Sequence, residues 1–532
     1  MKRIFLYSLL VLSSYVYSQQ PKLVVGIVVD QMRYDYLYRF SEKYSNGGFK
    51  RLMNHGFFCK NAQYNYVPTY TGPGHASIYT GTTPAIHGIA ANEWYDKKIR
   101  KEVYCVYDKA SSSTGSTSSA GQMSPANLDA TTIGDEIKIA SNNKAKVIGV
   151  SLKDRSSILP AGHAADGAYW FDASIAGFIT SSFYLKELPK WVLDFNARKL
   201  VQKYLGGGWS TLLPLEKYTE SLPDKNAFEK SPYKNEPVFP YSFKEQLEKN
   251  NFEIKATPFG NTITKDLAIA AIEGEGLGSD NICDMLCVSF SSTDYVGHTY
   301  GPKSIELEDT YIRLDKDLEE LLTYLDTKIG KDSYSVFLTA DHGASEVPAY
   351  LQSQKINAGY VDINGMRKKL KTELVREYGD SLVMSFINQQ VYLNDSIIDV
   401  KKLDKHTVEK FCMKLLLAFP DVSEATCREE LKMENGILFR DLIQKGCHNK
   451  RSGDIMITYK PGYIDYEHTG TTHGSSFSYD THVPIIFFGN GIKTGSTLRP
   501  VYITDIASTI CQLLNIPYTN GNIGNPVYEA IK

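Results

Sequence analysis

Six short apolar runs, rich in β-branched residues and each bordered by polar ones, set the main constraint on this chain: Leu23–Asp30, Lys146–Leu152, Asp284–Phe290, Tyr334–Ala340, Asp454–Thr458 and Val483–Phe488. Their apolar character is near-continuous rather than alternating, the pattern of strands covered on both faces. Helical periodicity lies between them, clearest from Ile305 to Leu325, where Leu307, Tyr311, Leu314, Leu318, Leu321 and Leu322 share one side. Strand followed by helix, repeated, implies an α/β fold built on a mainly parallel sheet flanked by helices. In such sheets functional groups gather beyond the carboxyl ends of the strands. Asp30, Lys153, Asp294 and Asp341 each follow an apolar run.

The length of 532 residues suits one large catalytic domain, 19–532, with insertions at about 161–259 and 347–451 that are expected to form a cap beside the sheet edge. A Ser/Thr/Gly loop, Ser111–Ser119, is expected to be mobile. Residues 1–18 read as a secretory signal: Lys2 and Arg3, an apolar stretch from Ile4 to Val16, and cleavage after Ser18. The stretch is short of the roughly 20 residues of a spanning helix, so the expectation is a periplasmic or secreted protein with no integral membrane segment after cleavage. Net charge is -2, without the basic field that holds a nucleic acid polymer. Eight cysteines in an exported chain are compatible with disulfides, and Cys283 and Cys287, around one apolar run, equally with buried thiols. Nothing in the sequence fixes an oligomeric state.

Four further stretches carry chemistry: Thr69-Tyr70-Thr71-Gly72-Pro73-Gly74-His75, Asp294-x-x-x-His298, Asp341-His342-Gly343 and Gly470-Thr471-Thr472-His473. Singly, each has an ordinary reading: Thr71 as a helix cap, Asp341 as a turn residue, His473 as a surface side chain. Together with Asp30 they supply an oxygen nucleophile and six carboxylate or imidazole ligands, the inventory of two-metal phosphoryl transfer. Aspartate mixed with histidine suits Zn²⁺ better than Mg²⁺. A threonine hydroxyl is a weak nucleophile until coordination lowers its pKa, and the Gly-Pro-Gly start offers it a helix N-terminus that favours phosphate.

The ordered set resembles the alkaline phosphatase superfamily, in particular its nucleotide pyrophosphatase/phosphodiesterase-like branch. Asn65 to His75, Ala91-Asn92-Glu93-Trp94-Tyr95-Asp96 and Ser151-Leu152-Lys153-Asp154-Arg155 resemble the phosphate-irrepressible periplasmic alkaline phosphatases that use a threonine nucleophile. The resemblance implies one Zn²⁺ among Asp30, Thr71, Asp341 and His342 and a second among Asp294, His298 and His473. It implies that Asn92, Lys153 and Arg155 bind the phosphoryl oxygens. The implied activity is hydrolysis of small-molecule phosphate monoesters through a covalent phosphothreonine, releasing inorganic phosphate; the alternative is a nucleotide pyrophosphatase/phosphodiesterase. Lys153 and Arg155 discriminate, since a dianionic monoester carries more charge than a monoanionic diester.

A sulfatase would need a Cys or Ser where Thr71 stands, and cofactor-independent phosphoglycerate mutases use a serine. A binding protein that had lost turnover would be expected to have lost Thr71 or a ligand first. His75 and His87 are expected to buttress the nucleophile helix and His482 to steady the loop entering the last strand. Tyr169, Trp170, Phe171 and Trp191 could stack a leaving group, with core packing the simpler use.

Overall fold

The computed structural model describes residues 20–230, 236–249, 253–431 and 438–532; the expected signal, 1–18, lies outside the described residues. A ten-stranded sheet forms the centre, in the order Gly495–Thr497, Phe57–Cys59, Ile485–Gly489, Tyr334–Thr339, Leu23–Val29, Asp284–Phe290, Val147–Ser151, Gly167–Asp172, Gly177–Ser181, Ser113–Thr114. The five strands from Tyr334–Thr339 to Gly167–Asp172 are mutually parallel. Ile485–Gly489 and Gly177–Ser181 flank them antiparallel.

Every residue of Leu23–Val29, Asp284–Phe290 and Tyr334–Thr339 is buried, which is why these runs are apolar without alternation. Each such Val, Leu, Ile or Phe contributes roughly 1.5–3 kcal/mol by leaving water. Helix Ile305–Leu325 packs its predicted stripe into this core, with Leu307, Tyr311, Leu314, Leu318, Leu321 and Leu322 all buried.

Register sets the strand ends level. Val29 pairs with Phe290, Val28 with Thr339, and Ser289 with Ser151. Asp30, Ala340, Ser291 and Leu152 therefore emerge side by side at the carboxyl edge of four adjacent strands.

The segment 161–259 does not stand off the sheet throughout. Gly167–Asp172 and Gly177–Ser181 extend the main sheet, so Tyr169, Trp170 and Phe171 are core residues, and Trp191 packs edge-on to Tyr169 at 5.0 Å. The loop expected to be mobile supplies the sheet's last strand, Ser113–Thr114, and Ser118 donates to the Asp172 carboxylate at 2.6 Å.

Beyond residue 347 the chain builds a lobe with its own core, including Met366, Leu370, Leu374, Val408, Cys412 and Leu416. Its antiparallel sheet runs Val383–Ile387, Gln390–Leu393, Ile455–Tyr459, Val422–Cys427. The run Asp454–Thr458, expected in the main sheet, thus belongs to this second sheet. The first two lobe strands turn at Asn388 and Gln389, both at positive φ (52° and 62°), the conformation of a two-residue hairpin loop. That tip reaches the main domain: Asn388 donates to the Glu93 carbonyl at 2.6 Å and Gln389 to the Gly474 carbonyl at 3.4 Å. All eight cysteines are free thiols.

Candidate active site

Thr71 is the first residue of the buried helix Thr71–Thr80, and the cap position is taken by Tyr70, in extended conformation and without a side-chain capping bond. The Thr71 hydroxyl is therefore not used as a cap. It lies 3.3 Å from His342 Nε2. Gly74 is required one turn on, because a Cβ there would collide with the Asp341 backbone oxygen; its absence lets the helix start rest on the strand end that carries Asp341 and His342.

Asp30, Asp341 and His342 converge beside Thr71. His342 Nε2 is 3.5 Å from Asp30 Oδ1 and 3.5 Å from Asp341 Oδ2. Both carboxylate oxygens are buried and lack a hydrogen-bond partner, an arrangement that is costly unless a cation satisfies it. The spacing is too long for hydrogen bonds but matches co-ligands of one ion, since donors at about 2.0–2.1 Å from a tetrahedral metal lie about 3.4 Å apart. Burial holds the Asp341 carboxyl well above, and Asp30 at about 6, with a neighbouring carboxylate adding to each effect.

A second convergence adjoins the first. Asp294 and His298 stand one turn apart on helix Ser292–Tyr300, with Oδ1 to Nε2 at 3.1 Å, and His473 Nε2 is 3.9 Å from the same oxygen. Desolvation would raise the Asp294 pKa, but His298, Lys153 and His473 outweigh it and hold the carboxyl well below the usual range. The His473 and His342 rings stack at 3.4 Å, so the two groups share a wall.

The three imidazoles are oriented alike. Each places Nδ1 on a backbone carbonyl: His342 on Gly343 (3.0 Å), His298 on Thr471 (2.7 Å) and His473 on Thr69 (2.7 Å). A carbonyl only accepts, so Nδ1 carries a proton and Nε2 is the nitrogen turned to the cluster, the one free to ligate a metal. Burial drives His342 well below its ordinary pKa and His473 to about 3, keeping both neutral. The donor set and its orphaned oxygens thus fit two divalent cations.

Of the phosphate-binding candidates, Lys153 lies between the two groups and Asn92 at the helix start. Lys153 is buried, and its ammonium touches Asp30 Oδ2 and Asp294 Oδ2, each at 2.6 Å, spanning the two groups. Arg155, in the first turn of helix Asp154–Ala161, places its backbone N–H on Asp154 Oδ1 at 2.6 Å. Its Nη1 donates to the Tyr104 hydroxyl at 3.0 Å, Tyr104 donates to Asp154 at 2.5 Å, and its buried Nε has no partner. Asn92 Oδ1 accepts the Gly72 N–H at 2.7 Å, which fixes its side-chain amide beside the helix start.

His75 lies on helix Thr71–Thr80 itself, and His87 ends the next short helix, Pro84–His87. His75 bonds the Thr71 carbonyl and Ser289, and His87 bonds Ser77 and accepts from the Ile89 N–H. His482 bonds the Lys60 carbonyl and stacks on Tyr34.

Three residues were not singled out by the sequence. Gln31 donates to Asp294 Oδ1 at 2.6 Å through its side chain and to Asp341 Oδ1 at 3.1 Å through its backbone. Tyr104 holds Arg155, and Tyr466 stacks on His298 at 5.6 Å. Only Gln31 had any local signal, its place directly after Asp30.

Comparison with known proteins establishes the family and the fold. The family model for type I phosphodiesterase / nucleotide pyrophosphatase matches residues 24–480. Alkaline phosphatase PafA of Elizabethkingia meningoseptica is 46% identical over 96% of this chain and 95% of its own. A crystal structure of wild-type alkaline phosphatase PafA, 46% identical, superposes with a TM-score of 0.93, covering 96% of this chain and 99% of that one. A Myroides odoratus protein named calcium-transporting ATPase is 46% identical over 97% of this chain and 95% of its own. Alkaline phosphatase PhoV of Synechococcus elongatus is 44% identical over 96% of this chain and 93% of its own. The chain belongs to the type I phosphodiesterase / nucleotide pyrophosphatase family of the alkaline phosphatase superfamily, and its fold is that of an alkaline phosphatase-type phosphoesterase.

Proposed function

We propose that the chain is a zinc-dependent alkaline phosphatase that hydrolyses small-molecule phosphate monoesters through a covalent phosphothreonine at Thr71. The observation that carries the reading is the placement of Thr71, unused as a cap, beside two converged ligand groups that the Lys153 ammonium spans. Two zinc ions would be held by Asp30, Thr71, Asp341 and His342 and by Asp294, His298 and His473. When bound they supply the Lewis-acid charge that favours the Thr71 alkoxide and offsets charge on the leaving oxygen.

The chain's own groups do the rest. Thr71 Oγ1 attacks phosphorus as the ester P–O bond breaks; the hydroxyl proton lost is balanced by the one the leaving alcohol gains. Water then attacks the phosphothreonine, the P–Oγ1 bond breaks, and inorganic phosphate leaves with Thr71 restored. Lys153, Arg155 and the Asn92 amide donate to the non-bridging oxygens, and the N-terminus of helix Thr71–Thr80 adds its partial positive charge. His75 fixes the first turn by holding the Thr71 carbonyl at 2.9 Å.

The names PafA and PhoV support this reading. The terminal phosphoryl of a nucleoside triphosphate carries the same charge, so ATP hydrolysis, as in the Myroides relative's name, is chemistry the site can perform. No helix among the described residues is long and apolar enough to cross a membrane. Export through the segment 1–18 belongs to the same proposal, with Gln19 as the first residue of the exported chain.

The test is turnover of an aryl phosphate monoester against the matching diester after chelation and metal return. Activity lost on chelation, restored by Zn²⁺ better than by Mg²⁺ or Ca²⁺, and favouring the monoester supports the reading. Preference for the diester would instead establish the phosphodiesterase alternative.

A further inference from the structure

Among the described residues, three groups of His, Cys and carboxylate side chains each bring one ligand atom per residue within 4.8 Å of one another. Two make up the active site. The third, His406, Glu409 and Cys427, lies in the lobe and takes no part in the chemistry above. His406 and Glu409 are one turn apart on helix Lys405–Leu417, Cys427 closes strand Val422–Cys427, and Glu429 follows on the short helix Arg428–Leu431.

The ligand atoms of Glu409 and Cys427 lie close to one ring nitrogen and to each other, and Glu429 approaches that nitrogen from outside this group of three. His406 Nδ1 is 3.8 Å from Cys427 Sγ, 3.5 Å from Glu409 Oε2 and 3.5 Å from Glu429 Oε2. Donors bound to a tetrahedral zinc at about 2.0–2.3 Å lie about 3.3–3.7 Å apart, close to what is seen. An ordinary ion pair accounts for His406 and its carboxylates. It does not account for a fully buried thiol aimed at the same nitrogen beside a carboxyl that is 4% exposed. His406 and Glu429, with side chains 31% and 63% exposed, leave an entry path.

We propose that His406, Glu409, Cys427 and Glu429 form a structural zinc site that clamps helix Lys405–Leu417 to the end of strand Val422–Cys427. A thiolate with an imidazole selects zinc over Mg²⁺ or Ca²⁺, and four protein ligands leave no open position for catalysis. The clamp closes the lobe whose hairpin tip reaches the loop of His473 through Gln389.

The test is Co²⁺ substitution and metal analysis of the full-length, untagged protein. The active-site donors include no sulfur, so a sulfur-to-cobalt charge-transfer band in the near ultraviolet reports the lobe site whether or not the catalytic reading holds. The band is expected in the wild-type chain and absent in Cys427→Ser, which should carry about two zinc ions where the wild type carries about three, with turnover unchanged. The exposed Glu429→Gln should keep the fold and release its lobe zinc to a chelator about tenfold more readily. A wild-type cobalt protein without the band, or a band that persists in Cys427→Ser, would overturn the proposal.

Discussion

Gln31 reaches across the carboxyl edge of the sheet to donate to Asp294 Oδ1 at 2.6 Å, from a backbone held at a φ of 63°. A non-glycine residue in the left-handed region is strained, and such strain persists where the surroundings over-determine it. Here its own N–H binds Asp341, and Gly297 makes room opposite, since a Cβ there would strike the Gln31 amide oxygen. One residue thereby orients carboxylates from both ligand groups. Gln31→Ala should weaken metal retention by ~10- to 100-fold while leaving the fold intact, read by chelator competition and circular dichroism. Unchanged retention would remove Gln31 from this role.

Lys153 and Arg155 should set the preference for monoesters. Losing one charge-assisted bond to phosphate costs roughly 1.5–3 kcal/mol, or about tenfold to over a hundredfold in rate if made in the transition state. Lys153→Ala and Arg155→Ala should lower monoester kcat/KM far more than diester kcat/KM. Because Tyr104 holds Arg155 through its hydroxyl, Tyr104→Phe should move the preference in the same direction by a smaller factor. Equal losses on both ester classes would refute the assignment.

His87 gives a pH-dependent stability signature away from the ligands. Burial lowers its pKa from 6.5 to about 3, so it stays neutral in the fold while the unfolded chain takes up a proton below pH 6.5. The stability it contributes is fully present above that value and is lost as pH falls toward 3, at about 1.4 kcal/mol per pH unit. His87→Gln removes that dependence. The variant should be less stable than wild type at pH 8, and the gap should narrow from pH 6.5 downward in denaturant titrations. A gap that is constant with pH would contradict the buried neutral state.

What the sequence revealed was what local pattern records. Asp30, Asp341 and Lys153 were legible because each follows a run apolar on both faces, and the four-residue spacing of Asp294 and His298 because a helix follows its strand. Gln31, Tyr104 and Tyr466 were not, since a positive φ and contacts to distant residues leave no periodic trace. The run at Asp454 illustrates the same limit: its pattern marks a strand, but pairing with Val391 and Cys427 rather than with the main sheet is decided by tertiary packing. The segment 161–259 likewise looked separate because its aromatic-rich composition conceals two strands that extend the main sheet.

The central claim is that the Thr71 oxygen performs the attack on phosphorus. It is tested most directly by kcat/KM of Thr71→Ala on an aryl phosphate monoester, measured in protein shown to be folded and to hold its metals. The account predicts a fall of at least about a thousandfold, since the substitution removes the attacking oxygen itself. A folded, metal-replete Thr71→Ala protein within about tenfold of wild type would contradict it.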